Sequence, residues 1–83
     1  MGLTIVEIVI HLEQEFGVDL PDTEAGRLTT PGKLVDFIVE KLGASAERAD
    51  VSKRVEAIII DQLGIDAAAY TEDADLIRDL GAD

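Results

Sequence analysis

The sequence predicts an all-α fold: a small bundle of three main helices and one short one. Apolar residues recur at helical spacing in three stretches, residues 3–16, 31–42 and 51–63. Each stretch runs into a glycine, at Gly17, Gly43 and Gly64, where a left-handed residue would end a helix. The chain has 83 residues, 47% of them hydrophobic, enough for one core and too few for two.

The first helix is predicted over residues 3–16, with Leu3, Ile5, Val6, Ile8, Val9, Ile10, Leu12 and Phe16 apolar. Thr4, Glu7, His11 and Gln14 form a polar stripe. Thr4 and Glu7 have capping-box spacing, which starts the helix among its first residues. Residues 22–28 begin with acids that suit a positive helix end but contain Gly26, so a short, weak helix is predicted. Thr29 or Thr30 ahead of Pro31 supplies the cap of the next helix, whose apolar face is Leu34, Val35, Phe37, Ile38 and Leu42.

Residues 43–50 carry no large apolar side chain and read as a connector within one bundle. Asp50 or Ser52 would cap the following helix, with Val55, Ile58, Ile59 and Leu63 on its buried side. Its apolar face complements that of residues 3–16, so the two helices are expected to pack together. Residues 65–83 form a long acidic segment. Ile65, Tyr70, Leu76, Ile77 and Leu80 would pin it to the core, with a helical turn over residues 75–80.

A formal charge of −11 repels nucleic acid phosphates and anionic lipid, and attracts basic protein surfaces. Solubility alone would select the same acidity. No apolar run approaches the roughly 20 residues that cross a bilayer, and no basic region precedes one at the start. With no cysteine, thiolate chemistry and disulfides are excluded, and a cytoplasmic location is the default expectation.

Catalytic chemistry finds no footing. His11 has no second histidine or cysteine to join it, and Ser45 and Ser52 read as linker and cap. Residues 22–33 and 72–83 fail as calcium loops, because neither has glycine at the sixth position, where the sharp turn needs it, and the closing glutamate is missing. No catalytic residue, no metal ligand set and no enzymatic activity are expected.

Read with its halves exchanged, the chain resembles an acyl carrier protein. Val55-Glu56-Ala57-Ile58-Ile59-Ile60-Asp61-Gln62-Leu63-Gly64-Ile65 through Asp75-Leu76-Ile77-Arg78-Asp79-Leu80-Gly81-Ala82-Asp83 looks like that family's first helix and long loop. Leu3-Thr4-Ile5-Val6-Glu7-Ile8-Val9 and Leu12-Glu13-Gln14-Glu15-Phe16 resemble its second helix, and Leu20-Pro21-Asp22 with Leu28-Thr29-Thr30 resemble the approach to its third and fourth. In the family, Asp-Leu-Gly-Ala-Asp is followed by Ser-Leu, and the serine carries phosphopantetheine. Here that run ends at Asp83, Leu3 matches the leucine, and Gly2 occupies the serine's place.

The resemblance implies a four-helix bundle in permuted order. Residues 1–42 correspond to the family's second to fourth helices, residues 43–50 join the old termini, and residues 51–83 correspond to the first helix and loop. Eight connector residues reach up to about 26 Å, ample for neighbouring helices. A segment spanning two tandem carrier domains is the alternative origin, and a non-carrier interaction module the alternative function.

By the same resemblance, Glu7, Glu13, Asp79 and Asp83 form an acidic face gripped by basic acyl-processing enzymes or a phosphopantetheinyl transferase. An ordinary solvated face would carry such residues too. Val6, Ile10, Leu12, Leu20, Leu28 and Ile38 would line the space sheltering an acyl chain while also serving as core. With Gly2 between Asp83 and Leu3, no phosphopantetheine is expected on this form. A monomer is expected, with a dimer exchanging residues 65–83 as its competitor.

Overall fold

The computed structural model describes residues 3–82. It is all-helical: α1 (Leu3–Phe16), α2 (Asp22–Ala25), α3 (Pro31–Leu42), α4 (Arg48–Leu63) and a short 3-10 turn over Ala67–Ala69, with no strand among the described residues. The predicted helical bundle is thus the observed fold class.

On α1, Ile5, Ile8, Leu12 and Phe16 follow the three- and four-residue steps of one helix face, and all are buried. Leu34, Val35 and Ile38 make the matching face of α3, and Val51, Val55 and Ile59 that of α4. α4 packs against both α1 and α3. Leu20, Leu76, Leu80 and Ala82 complete the same apolar cluster and Ile65 and Tyr70 pack against it, so these side chains anchor the long acidic segment; Ile77, expected to do the same, is instead 49% exposed. Each fully buried aliphatic side chain contributes roughly 1.5–3 kcal/mol, which makes this shared cluster the main source of cohesion.

The helix ends follow from local chemistry. Gly17 has φ +65° and its N–H donates to the Glu13 carbonyl at 2.8 Å, closing α1 in a conformation that costs glycine no steric strain. Of the two candidate caps for α3, Thr30 is the one used: its Oγ1 accepts from the Lys33 N–H at 3.3 Å. Thr29 instead turns its carbonyl oxygen toward the Leu76 N–H, at 2.9 Å.

Three local expectations are corrected. Thr4 lies inside α1, which starts at Leu3, so it is not the cap. The short helix α2 ends at Ala25, and Gly26 and Arg27 form a turn. The connector covers residues 43–47, because α4 starts at Arg48 with Glu47 as its N-cap; Asp50 falls in the first turn and Ser52 farther in. Alanine and arginine at positions 48–49 propagate a helix well, so α4 extends upstream of its apolar face. No described helix is long and apolar enough to cross a membrane.

Candidate functional site: an apolar cavity beneath the acidic segment

One face of α1 does not close fully on its neighbours. Between it, the α2–α3 loop, α3 and residues 75–78 lies a partly open cavity of about 230 Å³. Ile5, Ile8 and Val9 of α1 form one wall, Ala25, Gly26, Leu28, Thr29 and Leu34 another, and Asp75, Leu76, Ile77 and Arg78 the third. The lining is dominated by aliphatic groups, with the charges of Asp75 and Arg78 as its polar contribution. A lining of this kind suits apolar matter, with Thr29, Asp75 and Arg78 as its polar residues. Among the described residues, no group of three or more His, Cys, Asp or Glu side chains is placed to hold a metal ion.

The third wall is shaped by a self-capped turn. Asp75 Oδ1 accepts from the Arg78 N–H at 2.8 Å and the Ile77 N–H at 3.0 Å, while Asp79 Oδ2 accepts from the Asp75 N–H at 2.8 Å. The two bonds to the Asp75 carboxylate, led by that from the Arg78 N–H, hold its carboxyl below the ordinary pKa. The predicted helical turn over residues 75–80 is therefore present, supported by reciprocal carboxylate caps.

Upstream, Glu72 joins three elements. Its carboxylate receives Arg48 Nη2 at 2.8 Å, Arg48 Nη1 at 3.3 Å and Ser52 Oγ at 2.6 Å, and Arg48 Nε donates to Asp36 Oδ1 at 2.8 Å. Arg48 and then Ser52 lower the Glu72 pKa, and Glu72 and then Asp36 raise that of Arg48. Nearby, burial pushes the Tyr70 phenol up to about 12, with Glu56 and Glu72 adding to the effect.

The residues expected to shelter an acyl chain divide three ways. Leu28 lines the cavity. Leu12, Leu20 and Ile38 are buried in the core away from it. Val6 and Ile10 are corrected outright: at 39% and 43% exposure they lie on the outer surface of α1. Both apolar stripes of α1 have helical spacing, and only the packing of α1 on its neighbours selects Ile5 and Ile8 as the inward one. Of the lining residues, sequence reasoning assigned only Leu28 to the cavity; Ile5, Ile8, Val9, Leu34, Leu76 and Ile77 are the larger apolar side chains it missed.

The residues expected on the acidic face also differ among themselves. Glu7 is exposed. Asp79 is exposed, with one carboxylate oxygen engaged by the Asp75 N–H. Glu13 is half-buried, and its Oε2 accepts from the Leu20 N–H at 2.9 Å, so its carboxylate staples the loop after α1. Asp83 and Gly2 lie outside the described residues.

No family model matches the chain, and no solved structure does. The chain is 46% identical over 44 residues to an acyl carrier protein of Picosynechococcus sp., covering 53% of this chain and 54% of that protein. It is 45% identical over 39 residues to an acyl carrier protein of Rubrobacter xylanophilus, covering 47% and 48%. A third, from Thermosynechococcus vestitus, is 48% identical over 43 residues, covering 52% and 53%. The chain spans about half the length of the curated relatives it matches. Over that half, the acyl carrier protein resemblance read from the residues holds, and the all-helical fold agrees with it.

Proposed function

We propose that this chain is an acyl-carrier-type domain with its helices in permuted order, which catalyses nothing itself and docks on basic surfaces of acyl-processing enzymes. The observation that carries this reading is the composition of the cavity wall. Ile5 and Ile8, near the start of the chain, face the same space as Leu76, Ile77 and Arg78, near its end. A carrier whose order is exchanged at the attachment position requires that convergence. The exposed Glu7 and Asp79 add a negative surface on the same two elements, suited to a salt-sensitive encounter with a basic partner.

The cofactor attachment position is the weak link in carrier activity. Phosphopantetheine is joined through a hydroxyl, and Gly2, where the resemblance places the serine, has none. Docking and modification should therefore separate. Incubation with a phosphopantetheinyl transferase and coenzyme A, read by intact-mass spectrometry, should leave the chain unmodified while it competes weakly for the enzyme. Gly2→Ser should acquire the arm. An arm on the unaltered chain, or a Gly2→Ser chain that neither competes nor is modified, would refute this assignment.

A further inference from the structure

We propose that residues 71–78 are a strap that opens as a unit to widen the access of apolar ligands to the partly open cavity, and that Glu72 is the latch holding it in place. The proposal concerns access to the cavity and stands apart from any carrier role.

Up to the turn that begins at Asp75 the strap has no helix of its own, and apart from that turn and the Ala82 N–H on the Leu76 carbonyl oxygen at 2.7 Å, few backbone and side-chain bonds attach it to the helices. The Glu72 carbonyl oxygen accepts from the Gly32 N–H at 2.9 Å, satisfying a donor that the first turn of α3 cannot satisfy itself. The Glu72 carboxylate is held by Arg48 and Ser52 in the first turns of α4. One residue thus bolts the strap to the starts of two helices, and the Leu76 N–H adds a third attachment to the Thr29 carbonyl at 2.9 Å. Leu76, four residues beyond the latch, is 3% exposed and forms part of the cavity wall with Ile77. Release of the latch removes that wall while leaving the α1–α4 and α3–α4 packing in place. Segments tied by a few bonds open at lower free energy than the helices they cover, which makes this a local motion.

Gly32 gives the latch a second, steric handle. A Cβ built there would lie 3.0 Å from the Glu72 carbonyl oxygen and 3.3 Å from the Glu72 Cβ, closer than ordinary contact. Alanine at this helical position favours α3 itself, so its intrinsic effect opposes its effect on the strap. The opposition separates latch release from general loss of stability.

Amide hydrogen exchange and uptake of an anilinonaphthalene sulfonate dye test the proposal on the full chain. In Glu72→Ala and in Gly32→Ala, the amides at positions 32 and 76 should exchange about tenfold faster or more, with Val55 and Ile59 changed less than about twofold. Dye fluorescence should rise in both variants. Arg54→Met, which loosens α1 from α4, should accelerate α4 amides without selecting the strap. Equal acceleration at all four amides would overturn the proposal, as would unchanged exchange at positions 32 and 76. Selective exchange without added dye uptake would overturn the claim that the strap controls the cavity.

Discussion

The Arg54 guanidinium lies 4.5 Å from the centroid of the Phe16 ring, while its Nη2 reaches Glu15 Oε2 at 2.7 Å and the Glu15 carbonyl oxygen at 3.2 Å. One α4 side chain therefore covers the ring that ends the apolar face of α1 and pairs with the acid beside it. Replacing Arg54 with Met should lower stability by about 1 kcal/mol, since an exposed cation–π contact and an exposed ion pair each contribute a fraction of that. Arg54→Lys should fall between the two, because it keeps the charge and loses the planar fork. Urea denaturation of the three proteins, with an unchanged slope, measures the order.

Glu13 offers a test of structure against surface charge. Its bond to the Leu20 N–H spans the turn after α1 at 2.9 Å and seats the buried Leu20. Glu13→Ala should destabilise by about 1 kcal/mol, and Glu13→Gln by less because the amide oxygen still accepts. Glu7→Gln, on the exposed face, should leave thermal stability nearly unchanged. The comparison is made by melting the three variants side by side.

Tyr70 should make the fold sensitive to alkali. Burial pushes the phenol up to about 12 in the folded chain, above its ordinary value of about 10. A folded-state pKa that is raised supplies stability that is complete below pH of about 10 and is lost as pH climbs toward 12. With one tyrosine and no tryptophan, phenolate absorbance reports this site alone. The Tyr70 hydroxyl is buried and has no hydrogen-bond partner among the described residues. Tyr70→Phe should therefore match or exceed the parent at neutral pH by up to about 1 kcal/mol, and its stability should not fall over the alkaline range attributed to Tyr70.

Salt should stabilise this chain. Eighteen acidic residues face seven basic ones, and the ion pairs of Arg48 and Arg54 account for only a few of the acids. Screening weakens those exposed pairs slightly and relieves the larger repulsion among the many other carboxylates. Thermal melts at increasing sodium chloride should show a rising Tm. A flat or falling Tm would mean that the pairs outweigh the repulsion.

The sequence by itself determined what depends on near neighbours along the chain. Three apolar repeats at helical spacing, each closed by a glycine, specified α1, α3 and α4; the Thr-Pro step specified the start of α3. Their register follows from backbone periodicity, which does not depend on what each helix meets. The same locality explains the error at α4: Asp50 and Ser52 are good caps in isolation, but residues 48–49 extend the helix and Ser52 is used by Glu72 instead. Only the tertiary structure decided which of two apolar stripes on α1 turns inward, leaving Val6 and Ile10 exposed and giving Ile5 and Ile8 to the cavity. It also decided the latch, because Arg48 and Glu72 are 24 residues apart and no pattern in the intervening sequence pairs them. Local propensity sets where helices form, whereas the inward face and the long-range charge pairs are set by how the helices shield one another from water.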